Sequence, residues 1–303
     1  MIDVEAPSLE APNEVEAIVG GYHGDAFRIL GPHALPGSLD VATRWAVRAF
    51  LPHASKAEVV LEGVSTPMEK KHDHGFFTAY FDHQPTDYRF RVHLWNGEVE
   101  VIDDAYRFPP LLTDFDLYLH GEGTNYESYN TLGAHIVTSR GVTGVRFAVW
   151  APNAEVVCAV GDFNHWDTRR HPMRLRSGGI WELFVPGIGA GVRYKYYVRS
   201  RHLGHRQLKA DPYGFASEVP PKSASIVADL QAYTWNDQQW MASRAAKNWL
   251  KEPMSVYEVH LESWMRGPNG DYLTYRELAS SLVQYVVHMG FTHIELLPIM
   301  EHP

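Results

Sequence analysis

Through the first 226 residues, apolar and polar positions alternate over short stretches. Val145, Phe147 and Val149 form one such stretch, Val156, Cys158 and Val160 another, and Tyr194, Tyr196 and Val198 a third. A period of two is the mark of a strand with one face buried, and Gly, Pro, Asn and Asp clusters separate the stretches as turns do. The pattern also repeats about every 100 residues. Leu30-Gly31-Pro32-His33 answers to Leu132-Gly133-Ala134-His135, and Val47 to Pro52 answers to Val145 to Pro152. Further on, Glu58-Val59-Val60 matches Glu155-Val156-Val157, Tyr88-Arg89-Phe90 matches Tyr194-Lys195-Tyr196, and Asp104-Ala105-Tyr106 matches Asp211-Pro212-Tyr213. Many short strands over about 100 residues predict two tandem immunoglobulin-like β-sandwiches, over 14–108 and 109–226, although no Cys-Trp-Cys pattern marks a true immunoglobulin domain. Residues 1–13 are expected to be disordered.

Beyond residue 226 the alternation stops. Trp240, Arg244, Lys247 and Trp249 fit a short helix in a connector over 227–253. Ser255 to Leu261 predicts a strand, and Thr274-Tyr275-Arg276-Glu277 has the form of a capping box that starts a helix. Leu278, Leu282, Val286 and Met289 supply the helical spacing, Gly290 suits the C-terminal cap, and Phe291 to Leu297 predicts a second strand. A strand-helix-strand unit joins parallel strands, so 254–303 reads as the opening of a larger parallel sheet that is cut short.

The length of 303 residues suits two or three domains. With 27 Lys plus Arg against 36 Asp plus Glu, the net charge of −9 argues against nucleic acid as a partner. No run of apolar residues is long enough for a membrane span, so no membrane partner is expected. Cys158 is the one cysteine and can form no internal disulfide, and the acidic first 16 residues carry no Lys or Arg, unlike a secretory leader. A cytoplasmic location is expected.

Several segments together carry a resemblance: Leu132-Gly133-Ala134-His135, Phe147 to Ala154, Gly161-Asp162-Phe163-Asn164-His165-Trp166-Asp167, His171-Pro172-Met173, Tyr257-Glu258-Val259-His260-Leu261 and Met289 to Pro298. The chain resembles the N-terminal part of bacterial 1,4-α-glucan (glycogen) branching enzymes. The resemblance implies an N-terminal sandwich, a second sandwich of glycogen-binding type, and the first β-α-β of a truncated α-amylase-type (β/α)8 barrel. It also implies cleavage of α-1,4 linkages with transfer to a 6-hydroxyl, α-glucan (glycogen, amylose) as partner, no cofactor, and a monomer for the full-length protein. An isoamylase or trehalohydrolase relative and a non-catalytic glucan-binding protein are the rivals. In such enzymes the catalytic carboxylates come from later barrel strands, so no catalytic residue is assigned within 1–303 and this chain is expected to be inactive by itself. Ala26, Ala105 and Glu262 depart from the family pattern of Pro, Pro and Gly.

By the same resemblance Trp166 is a sugar-stacking residue, its flat indole facing the C–H groups of glucose; the alternative is packing between sandwich and barrel. Lys195 lies opposite the inward Tyr194 and Tyr196, so it faces out and could donate to a glucose hydroxyl; a plain solvated lysine is the alternative. The turn that usually brings a second Trp holds His202-Leu203-Gly204-His205, a weaker platform. The first repeat has Leu61 to Thr66 and Arg89 at the matching places, which suits a spacer. His72, His74 and His83 lack the partners of a metal site, and none is expected.

Overall fold

The computed structural model describes residues 12–35 and 44–300. Its chain divides into two compact units, with the break between Ala232 and Tyr233. The expectation of disorder over 1–13 lies largely outside the described residues, but a helix already spans Pro12–Val19. Order begins there because Val15, Ile18 and Val19 share one helical face and bury against Ile29, Leu30, Phe50 and Phe76.

The first repeat forms two four-stranded antiparallel sheets. One runs Gly31–Ala34, Trp45–Phe50, Phe76–Phe81, Glu69–His72 in spatial order, and the other Val64–Pro67, Ala54–Leu61, Arg89–Leu94, Val99–Asp103. Val47, Ala49, Phe77 and Ala79 from the first sheet share one core with Ala57, Val59, Phe90 and Val92 from the second. The second repeat copies this plan. Arg174–Leu175, Ile180–Pro186, Val142–Trp150 and Gly133–Ser139 make one sheet, while Ala154–Gly161 and Arg193–Ser200 lead the other. Phe147 and Trp181 meet Val157, Ala159, Tyr194 and Tyr196 between them.

The duplication extends to single hydrogen bonds. His33 Nε2 lies 2.9 Å from Leu30 O, and His135 Nε2 lies 2.9 Å from Leu132 O. Gly31 (φ +90°) and Gly133 (φ +97°) both take the left-handed region, and a Cβ on either would stand 2.9 Å from a carbonyl oxygen, that of Tyr106 or Tyr213. Only glycine meets both demands. The same bulge interrupts the pairing after Ala54 and after Ala154. Matching strands therefore begin at matching turns.

The structure corrects two readings. Val157 and Ala159, not Val156, Cys158 and Val160, face the central core. The latter three bury on the opposite side against Trp166 and Tyr197. Both faces of this strand are covered, so a continuous apolar run leaves its phase undetermined by alternation. Within the segment read as sandwich from 109 onward, a helix spans Asp114–Glu122, opened by a full capping box of Thr113 with Asp116 and closed by left-handed Gly123.

Each repeat also buries an aspartate beneath tyrosine hydroxyls. Tyr88 OH donates to Asp104 Oδ2 at 2.5 Å, and the Tyr106 N–H donates to Oδ1 at 2.9 Å. Burial pushes the Asp104 carboxyl from 3.8 up to about 6, the hydrogen bonds only partly opposing it. A carboxyl whose pKa rises on folding binds more protons folded than unfolded, so its contribution is full below about pH 4 and is lost as pH rises through 6. At roughly 1.4 kcal/mol for each tenfold change in proton affinity, the loss reaches up to about 3 kcal/mol. We expect Asp104→Asn, which cannot ionise, to gain on the native protein by that order between pH 4 and pH 7 in urea unfolding. A difference that does not vary with pH would contradict it.

In the second unit Val256–Val259 and His293–Leu296 pair as parallel strands. The helix Tyr275–His288 between them starts at the expected capping box of Thr274 and Glu277. It buries Leu282 and Val286 against Val259. The connector supplies a helix over Gln238–Ala246 and a short turn over Trp249–Lys251.

Candidate functional site

Trp166 and Lys195 both belong to the face of the second repeat that points away from its central core. Trp166 sits in the loop after Ala154–Gly161, where its backbone N–H donates to Gly161 O at 3.0 Å. Lys195 is the register partner of Val160 on the neighbouring strand. The two are thus placed at one end of one strand pair. Tyr194 and Tyr196 are fully buried on the other side, as expected, which turns Lys195 outward.

The indole is half-buried on Val156, Cys158 and Val160. Its Nε1–H donates to Asp162 Oδ1 at 3.2 Å. Arg193 grips the same carboxylate, with Nε 3.0 Å from Oδ2 and Nη2 3.1 Å from Oδ1. The Arg193 hydrogen bonds hold the Asp162 carboxyl below its usual range, so it remains an acceptor across ordinary pH. Lys195 Nζ donates to Ser223 Oγ at 2.8 Å. Two of that ammonium's three protons have no such partner among the described residues.

The loop is built around Asn164, whose side chain is fully buried. Its Oδ1 accepts from Gly161 N at 2.9 Å, and its Nδ2 donates to Ala159 O and His171 Nδ1, both at 3.0 Å. His165 (φ +55°), Trp166 (φ +60°) and His171 (φ +56°) all occupy the left-handed region, which costs a residue with a Cβ about 1–3 kcal/mol each. Asn164 and the buried Trp166 contacts offset that cost. Gly161 has no room for a side chain, since a Cβ would lie 2.2 Å from Arg193 O. Asp162, Arg193 and Asn164 escaped the sequence reading. Arg193 meets Asp162 across 31 residues of chain, a separation that carries no local signal.

Among the described residues the first repeat shows no comparable arrangement. On the outer face of its matching strands Arg91 Nη1 donates to Glu58 Oε2 at 3.1 Å and to Ser65 Oγ at 2.6 Å, and His93 lies 3.4 Å from Glu58. Arg91 and Glu58 satisfy each other, and a strand over Val64–Pro67 occupies the place of the Trp166 loop. His72, weighed above as a metal ligand, lies 3.1 Å from Glu16 instead. No helix of the described residues is long and apolar enough to cross a membrane.

Comparison with known proteins divides along the same lines. Residues 11–106 match the family described as alpha-1,4-glucan branching enzyme GlgB, N-terminal domain, and residues 131–214 match carbohydrate-binding module 48 (isoamylase N-terminal domain). The chain is 50% identical to the 1,4-alpha-glucan branching enzyme GlgB of Rubrobacter xylanophilus over 95% of its own length and 39% of that protein's. It is 46% identical to that of Paramagnetospirillum magneticum, over 99% of this chain and 40% of the relative. It therefore spans about two-fifths of the length of the curated relatives it matches. Among solved structures, a pullulanase from Anoxybacillus sp. LM18-11 aligns with 90% of this chain and 39% of that one at 18% identity and a TM-score of 0.38, too distant to place any residue.

Proposed function

We infer, from the premise that this chain carries the N-terminal modules of the 1,4-alpha-glucan branching enzyme family, that it serves an enzyme which cuts α-1,4 linkages and rejoins the segment as an α-1,6 branch. Its own part is to hold the α-glucan. The two repeats then stand as immunoglobulin-like sandwiches over 14–108 and 109–226, the second of glycogen-binding type. Residues 254–303 stand as the start of the (β/α)8 barrel, reached through the connector 227–253, and the cytoplasm is the expected compartment.

The observation that supports glucan holding is the fixed indole of Trp166. Asp162 and Arg193 orient it from one edge, Val160 supports it from below, and Lys195 adds an ammonium at the same end of the strand pair. A rigid apolar plane beside a donor suits a neutral polyhydroxylated chain. The first repeat, with its mutually paired outer charges, acts as spacer.

Affinity electrophoresis of the 303-residue chain through glycogen tests this reading. Trp166→Ala should weaken binding by about 5- to 150-fold, the range for a stacking residue worth about 1–3 kcal/mol. Lys195→Ala should weaken it by less. Equal retardation of native and Trp166→Ala proteins, both folded by near-ultraviolet circular dichroism, would leave the indole with a packing role alone.

A further inference from the structure

A cavity of about 310 Å³ lies between the two repeats, lined by the 161–173 loop but not by Trp166. That volume is at the lower end of the range that small-ligand sites occupy. Its walls come from distant stretches of chain: His53, Glu100 to Asp103, then Phe163, His165, Arg170 and His171, and the turn at Pro186 and Gly187. From its polar lining we propose that this cavity is a binding site for a small phosphorylated polyol, of the hexose phosphate class, with the phosphate on Arg170 and the hydroxyls toward Glu100.

The charges near the cavity are already sorted. Asp103 is held by Arg107 at 2.8 Å, and Asp167 by Arg169 at 2.7 Å. Arg170 lines the cavity half-buried, and its guanidinium has no hydrogen-bonded acceptor among the described residues, although the charges of Asp167 and Glu100 act on it from a distance. A desolvated guanidinium lacking an acceptor is costly and offers the planar donor fork that phosphate oxygens fit. His171 adds a second donor. The Asn164 amide donates to its Nδ1, and burial together with the Arg170 charge holds its pKa down to about 3, so the ring is neutral and its proton is on Nε2. His53, pushed down to about 4 by burial and Arg170, has a buried Nδ1 with no partner. Arg170, His171 and His53 thus line one cavity together, with Asp167 near all three. Glu100 makes no close ion pair among the described residues, though its charge acts on Arg170, and it can accept from hydroxyls, while Phe163 and Ile188 give the sugar ring apolar contact. Bare phosphate would use the donors and leave the rest of the volume unfilled.

Isothermal titration of the 303-residue chain with glucose 6-phosphate, inorganic phosphate and glucose tests the assignment. We expect glucose 6-phosphate to bind at least tenfold more tightly than either of the others. Arg170→Gln should weaken it tenfold or more, and Glu100→Gln should weaken glucose 6-phosphate while leaving inorganic phosphate bound no more weakly than before. The ring protons of His53 and His171 should shift during the titration when followed by NMR. Should Arg170→Gln fail to fold, His165→Asn, at an exposed position on the cavity rim, is expected to weaken binding measurably. No binding up to about 10 mM, equal affinity for glucose and its phosphate, or histidine resonances that stay fixed would overturn the proposal.

Discussion

Replacing Asp211 by alanine is expected to destabilise the second repeat by about 3–5 kcal/mol, enough to unfold it in mild denaturant. The carboxylate accepts Tyr194 OH at 2.7 Å and Tyr196 OH at 3.0 Å on Oδ2, and the Tyr213 N–H at 2.8 Å on Oδ1. Both hydroxyls belong to fully buried rings that pack against Phe147, so neither can turn to water. Truncation removes three hydrogen bonds and strands three donors, each costing roughly 1–3 kcal/mol when left unpaired in the interior, partly relieved by relaxation. Asp211→Asn has a single acceptor oxygen, which can serve either the two tyrosine hydroxyls or the Tyr213 N–H but not both, and should lie between the two. Urea unfolding followed by near-ultraviolet circular dichroism reads the difference. A loss below about 1 kcal/mol would mean that the tyrosines find other partners.

Glu182→Ala should cost a similar amount, about 3–5 kcal/mol, by a different route. Glu182 is buried in the strand Ile180–Pro186, where Oε1 accepts the Leu111 N–H at 2.5 Å and the Leu112 N–H at 2.8 Å. Its Oε2 accepts Arg176 Nη1 at 2.6 Å. Without the carboxylate a largely buried guanidinium keeps Leu112 O, at 3.2 Å, as its remaining close acceptor in the interior. The segment that joins the repeats also loses its anchor. Beyond the lower unfolding midpoint, the Leu111 and Leu112 amides should exchange with solvent deuterium far faster in the variant than in the native chain. Protection unchanged at those two amides would show that Leu112 and Leu117, packed on Leu132, hold the segment by themselves.

These groups divide what sequence reasoning can reach from what it cannot. The repeat was legible because its turns demand particular residues: Leu-Gly-x-His recurs where a left-handed glycine and a histidine bonded to the preceding carbonyl recur. Thr274 and Glu277 were legible for the same reason, since a capping box is local chemistry. The helix Asp114–Glu122 was missed because Leu117 is its one buried residue, too little for a periodic signal. Val156 to Val160 were out of phase because both sides of that strand are covered. For the candidate site, Trp166 and Lys195 came from family resemblance and from strand alternation. The group that fixes the indole, Asp162 with Arg193, depends on contacts between distant strands. Asn164 looks like any loop asparagine until its burial is seen, and the cavity at Arg170 exists only once the two repeats pack.

The two-sided burial of the strand Ala154–Gly161 gives the chain a built-in reporter. Cys158 is the single thiol, it is buried, and burial raises its pKa far above the usual thiol range. It bridges to Pro172 beneath the Trp166 loop, so reagent reaches the sulfur only when that loop lifts or the sheet opens. Alkylation of the unmodified protein therefore times the opening of the candidate glucan face, with no label to install. A ligand that clamps the loop would slow the reaction in proportion to its occupancy, which turns a rate of thiol modification into a binding isotherm.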